Sequence, residues 1–198
     1  MIDDEDLLLG CRLKLQQAWR HRQALGEAIA TEWEPGNPPP PHFGVILGDF
    51  LHNLRGVLDH VIWQLVVLNG HTPTRATSFP ICDSRAEFDR RMKRSLRGLT
   101  AEQQALVEEF QPYRLDGDPR DHMLAVLRDL SNTDKHQFVH ETDAVGDRSE
   151  PTLVFTRLAV TTEGLWRLET YVIYTVYERF ARLFPLPSHA QPRSTATG

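Results

Sequence analysis

The run Gly48–Leu68, GDFLHNLRGVLDHVIWQLVVL, decides the fold. At about 100° per residue, Leu47, Leu51, Leu54, Leu58, Val61, Leu65 and Leu68 recur at the three-and-four spacing of a buried helical stripe. Nearly opposite lie His52, Gly56, Asp59 and Trp63, with Arg55 on one flank and Asp49, Asn53 and His60 on the other. An ordinary solvated face would carry Lys and Glu. This one has neither, so it too is expected to pack against something. Any polar group held there needs a partner, because leaving a buried one unsatisfied costs about 1–3 kcal/mol, and more if it is charged.

The rest of the chain supplies helices for such a bundle. From about Leu7 to Trp33, the positions Leu8, Cys11, Leu15, Ala18, Leu25, Ile29 and Trp33 form an amphipathic stripe broken only at Arg22. Four prolines at 38–41 then read as a stiff connector. Asn69-Gly70 ends the central helix. Ser84-Arg-Ala-Glu87 and Thr100-Ala-Glu-Gln103 read as capping boxes opening two further helices. The first of these carries Phe88, Met92 and Leu96 on one side. Its other side is basic, with Arg85, Arg90, Arg91, Lys93, Arg94 and Arg97, and reads as a solvated face or as a phosphate contact surface. Asp118-Pro119 starts a fifth helix with Met123, Leu127 and Leu130 inside, which runs into Ser131-Asn-Thr-Asp-Lys-His136. The segments QFVH and TLVFTRLAV, between Gln137 and Val160, suggest a short hairpin. A last helix runs from Thr162 to Pro185 with Leu165, Leu168, Val172, Val176, Phe180 and Leu183 as its stripe. The expected fold is therefore mainly α: one helical-bundle domain over 1–184 with a small β-hairpin before the last helix, and a disordered tail over 185–198.

Composition narrows the function classes. With 40% hydrophobic and 25% charged residues, the 198-residue chain falls among globular proteins able to bury a substantial core. Asp59, His60 and Gln64 interrupt the best apolar run, so no membrane partner is expected. The acidic start MIDDED is unlike a secretory leader, and two cysteines make no disulfide framework, so a reducing cytoplasm is the expected location. A formal charge of −5 argues against a general nucleic-acid coat but leaves room for a local basic patch.

Two polar constellations carry the candidate chemistry: His52, Arg55, Asp59 and His60 on the central helix, and Asp134, Lys135 and His136 after the fifth. They are expected to be neighbours, since polar groups on a packed face need partners on an adjoining helix. One reading is a structural network fixing helix register, for example Asp59 with Arg55 or Lys135, in a non-catalytic interaction or scaffold module. A second is a metal-binding bundle with ligands from His52, Asp59, His60 and His136. However, His52 and His60 stand about 80° apart around the helix, and Arg55 and Lys135 oppose a cation, so no metal ligand and no cofactor are assigned. A third is metal-independent RNA cleavage, in which His60 or His136 carries the proton, Arg55 and Lys135 stabilise the phosphorane charge and Asp59 orients. Substrate contacts would come from His52, Asn53, Asp134, Arg91 and Arg94.

The spacing Arg55-x4-His60 resembles the signature of HEPN-type helical ribonucleases, which implies a phosphate-positioning arginine and a proton-handling histidine. About 140° separates these two positions on a straight helix. A shared phosphate therefore calls for a bend or for completion by a homodimer, and RNA and a second copy of the chain are the partners considered. A wider resemblance rests on GDFLHNLRGVLDHVIWQL, then SFPI and Phe88, then QPY, then LSNTDKHQ. These are similar to an uncharacterised, actinobacterial-type family with a His-Asn-Leu-Arg-x-x-Leu-Asp-His helix and an Asp-Lys-His-Arg segment. Here Gln137 stands where that family has Arg, and the resemblance implies no activity.

Overall fold

The computed structural model describes residues 6–34, 37–136, 142–145, 152–155 and 158–185; for 133–136, 142–145, 152–155 and 158–160 the description is of the backbone course. It is mainly α. Helices α1 (Leu9–Glu32) and α2 (His42–Leu68) form the central pair, followed by α3 (Arg85–Ser95), α4 (Ala101–Glu109) and α5 (Met123–His136). The last helix starts as α6 (Thr162–Thr170), widens into a π-helical stretch at Tyr171–Tyr177 and closes as α7 (Glu178–Ala181).

The expected stripe of α2 is its buried face from Leu47 to Leu65: Leu47, Leu51, Leu54, Leu58, Val61 and Leu65 are each at most 1% exposed, whereas Leu68, in the last turn, is 37% exposed. Burial extends well beyond that stripe, to Phe50, Val57, Ile62 and Val66, because α2 is packed on several sides. The opposite face is not covered in the way the sequence suggested. His52 is exposed and Trp63 is 41% exposed, so this is a narrow solvent-facing strip; the helices pack beside it, not over it. Neighbours reach it at Asp59, which is bonded to the 79–82 segment, and at Gly56, where a Cβ would lie 3.2 Å from Lys14 Nζ of α1. Gly10 and His60 are matched in the same way, at 2.6 Å from a would-be Cβ to Nε2. The pairs 10 with 60 and 14 with 56 run in opposite senses, so α1 and α2 are antiparallel, brought close by two residues without side chains.

The other helices start where local chemistry allows. Thr100 and Gln103 complete the expected capping box, and the Gln103 side chain also accepts from Asn69 Nδ2 at the end of α2, at 2.7 Å. At α3 only half of the expected box forms. Ser84 Oγ accepts from Glu87 N–H, but Glu87 reaches back to Asp83 N–H, one residue further than the box requires. Asp118 and Pro119 open a 3-10 turn (Pro119–Asp121) and not α5 itself. His122 is extended, and its Nδ1 accepts from Leu124 N–H at 3.1 Å, so a histidine caps α5. Gly70 and Gly98, at φ 76° and 94°, end α2 and α3 in the left-handed region where a Cβ would be strained.

Before α6 the backbone of β1 (Thr142–Val145), β2 (Thr152–Phe155) and β3 (Leu158–Thr161) pairs antiparallel in that order. The hairpin expected from QFVH is not shown, since 137–141 lie outside the described residues, as does the expected tail from 186 onward. Arg22, the break in the α1 stripe, has its explanation in α6. Its Nε donates to Glu169 Oε2 at 2.5 Å, joining the first helix to the last through a carboxylate only 4% exposed. Among the described residues no helix is long and apolar enough to cross a membrane.

Candidate functional site

The polar residues of α2 converge on the segment Phe79-Pro80-Ile81-Cys82, which crosses the core with every side chain buried. Its peptide groups have no backbone partner among the described residues, and five of them, Phe79 N–H and O, Pro80 O, Ile81 O and Cys82 N–H, are bound by side chains. Asp59 Oδ1 accepts from Phe79 N–H at 2.9 Å, and Arg55 Nη2 donates to Phe79 O at 2.5 Å. The two are also paired to each other one turn apart, Nη2 to Oδ1 at 2.9 Å and Nε to Oδ2 at 3.3 Å. Gln111, fully buried after α4, donates to Pro80 O at 2.9 Å and accepts from Cys82 N–H at 3.0 Å. Arg91 of α3 donates to Ile81 O at 3.1 Å. A buried extended segment with unpaired peptides would cost several kcal/mol, and this set of side chains offsets most of that cost.

Beside this segment lies a pocket of about 160 Å³ where α2, α3 and α5 meet. Arg55 and Asp59 line it from α2, Arg91 from α3, and Arg128, Ser131 and Asn132 from α5. The α5 residues that meet Arg55 and Asp59 here are thus Arg128, Ser131 and Asn132, one turn before the expected Asp134–His136 partners. Asp134, Lys135 and His136 form the last turn of α5, immediately after Ser131 and Asn132, and are described in backbone only. Arg128 donates to Asp129 and Asp83, each at 2.7 Å. Burial works against its charge, and these two carboxylates more than offset that, holding its pKa above the usual arginine value. Ser131, 5% exposed, has a buried hydroxyl with no hydrogen-bond partner among the described residues.

The remaining expected site residues lie elsewhere. His60 stands against Gly10 of α1 and contacts Gln64 Nε2 at 3.3 Å, so the structure does not bring it to Arg55 and Asp59. His52 is exposed, Asn53 donates to its own helix at Asp49 O (2.8 Å), and Arg94 is exposed on α3. A wider groove of about 860 Å³ between the ends of α2 and α3 and the start of α4 has His71 and Arg97 as its ionisable lining, too little for acid–base chemistry. Among the described residues no three His, Cys, Asp or Glu side chains cluster as metal ligands. Burial pushes the thiols of Cys11 and Cys82 up to about 12 and about 11, so neither is a thiolate nucleophile near neutral pH.

Sequence reasoning passed over Gln111, Arg128 and His122 as site or support residues. A glutamine directly before Pro112 and an arginine embedded in the apolar α5 were the available signs. His122 is held neutral by geometry: Nδ1 accepts from Leu124 N–H, so the proton sits on Nε2, 3.1 Å from the Tyr171 hydroxyl in the π-helical stretch.

Both histidines carry a pH dependence of known sign. Burial, with Lys14 adding for His60, lowers the pKa of His60 and of His122 from 6.5. Below 6.5 the unfolded chain takes up protons that the folded one refuses, so stability is fully present above that value and declines as the pH falls toward the folded pKa values. We expect a melting temperature that drops between about pH 7 and 5. His60→Gln and His122→Gln should each flatten that slope, and an unchanged slope in both variants would refute the assignment.

Comparison of the chain with family models, with curated proteins and with solved structures found no match.

Proposed function

We propose that this chain is a non-catalytic interaction module in which the polar network of α2 is architectural, the Arg55–Asp59 pair acting as a clamp on Phe79. The observation that carries the reading is the double engagement of one residue's peptide groups, Phe79 N–H to Asp59 at 2.9 Å and Phe79 O to Arg55 at 2.5 Å. A general base needs a free lone pair aimed at substrate, and a phosphate-stabilising arginine needs a free fork. Asp59 Oδ1 already accepts from two donors, and Arg55 has committed its Nε and Nη2. Two measurements test the reading together. Asp59→Ala leaves the largely buried Arg55 cation without its carboxylate and the Phe79 N–H without a partner, so we expect a loss of about 2–4 kcal/mol, or roughly 5–10 °C in melting temperature. A gel assay on generic RNA should give no cleavage by the wild type. Cleavage that disappears in His60→Ala, together with an unchanged melting temperature in Asp59→Ala, would overturn it.

RNA binding, with metal-independent cleavage, is the second reading. It is favoured by three arginines around one pocket and by the backbone of α5 carrying positions 135 and 136 through the next turn. In that reading His136 is the proton carrier in preference to His60, and Lys135 supports the phosphate. Cleavage lost in His136→Ala and retained in His60→Ala would select it. The kinship with the uncharacterised actinobacterial-type family is likewise proposed, on its motifs alone.

A further inference from the structure

We infer that the pocket between α2, α3 and α5 is a binding site for a compact phosphate group, held by the free donors of Arg91 and Arg128 and the hydroxyl of Ser131, with the clamped Arg55 adding its charge alongside. This deepens the reading above by naming a ligand class for the module.

The argument is one of donor accounting. A guanidinium has five N–H donors and no acceptor. Arg55 spends its Nε and Nη2, leaving Nη1. Arg91 spends Nη1 on Ile81 O and Glu87, leaving Nε and Nη2. Arg128 spends Nε on Asp129 and Nη1 on Asp83, leaving Nη2. Three guanidiniums thus line one small cavity, Arg91 with a whole edge uncommitted and Arg55 and Arg128 each with one free amino group. Asp59, the single carboxylate lining it among the described residues, has both oxygens occupied by Arg55. Glu87, Asp83 and Asp129, which balance Arg91 and Arg128, are not part of the lining.

Ser131 adds an independent observation. Its hydroxyl is buried and unpartnered at the edge of a polar cavity, where a hydrogen-bond acceptor would satisfy it. Size then selects the ligand. About 160 Å³ holds one tetrahedral oxyanion and a little water, but not a nucleoside, so a larger molecule would enter by a terminal phosphate. The four neighbouring carboxylates outnumber the three arginines, so long-range attraction is not what holds the anion. Short, directional charge-assisted bonds are. This distinguishes the pocket from the exposed basic face of α3, where polyanions would bind through net charge with steep salt dependence.

The test is calorimetric titration of the whole chain with inorganic phosphate, at constant ionic strength set with chloride, alongside thermal melts. We expect saturable one-site binding and a phosphate-dependent rise in melting temperature. Ser131→Ala should weaken binding about tenfold or more, because a hydrogen bond to a charged ligand is lost. Its melting temperature without phosphate should be no lower than wild type, because the hydroxyl has no partner to lose. Arg128→Lys keeps the charge and loses the fork, and should also bind weakly. Arg90→Ser with Lys93→Ser, on the exposed face of α3, should bind as wild type. The inference is overturned if phosphate shows no saturable binding, if Ser131→Ala and Arg128→Lys bind as wild type, or if the α3 double variant loses binding. A short RNA with a 5′-phosphate and its 5′-hydroxyl counterpart then identify the source. Displacement by the phosphorylated strand alone supports the pocket with an RNA end as ligand. Displacement by neither supports it with a free phosphate. Equal displacement by both overturns it, since the second offers only internal diesters. Failure of the clamp would be read separately, as an Asp59→Ala protein that melts like wild type.

Discussion

Gln111→Leu is expected to lower stability by about 2–5 kcal/mol. Leucine matches the volume, and the position is fully buried, so packing is nearly conserved. The loss is polar. Cys82 N–H and Pro80 O would both lose their partner in a dry interior, at about 1–3 kcal/mol each. Gln111→Glu should be at least as damaging, since it keeps an acceptor for Cys82 but removes the amide donor and buries a charge. Urea denaturation followed by fluorescence measures both. A Gln111→Leu protein within about 1 kcal/mol of wild type would mean that water or a rearranged backbone already serves this segment.

The second large effect is expected at the other end of the bundle. Arg22→Ala strands Glu169, 4% exposed and with its Oε1 already lacking a partner, and should cost about 3–5 kcal/mol. Removing both charges should behave differently. Arg22→Met combined with Glu169→Leu should recover most of the loss and may be compared with both single variants in a double-mutant cycle, since well-packed apolar pairs replace buried ion pairs at little or no cost. Single variants without loss would show that the pair contributes nothing to joining the first and last helices.

What the sequence made legible was what short-range rules govern. The α2 stripe and the Thr100–Gln103 box follow from spacings of three and four residues, and both are in place. Arg22 looked like an interruption because its reason lies 147 residues away. The lack of Lys and Glu on the back face of α2 points to a covered face, yet composition does not say whether neighbours sit over a strip or beside it. Of the polar set read from α2, Arg55 and Asp59 share the pocket, while His60 is turned to α1 and His52 to solvent. Arg91 was named from α3's basic face and faces the pocket, whereas Arg94, three residues on, is exposed. The π-helical stretch left a faint trace. Leu168, Val172, Val176 and Phe180 are all buried at successive steps of four. An α-helix would drift about 40° at each such step, and a wider turn keeps them on one side.

The segment 79–82 also sets how this bundle can come apart. Its peptides are bonded to side chains from α2, α3 and the turn after α4, and to no other peptide among the described residues. No single helix can release or secure it alone, so partial assembly gains little and the three elements are coupled as one cooperative unit. The amide protons of Phe79 and Cys82, though outside any helix, should therefore exchange with solvent as slowly as those in the middle of α2, because both wait for the same global opening.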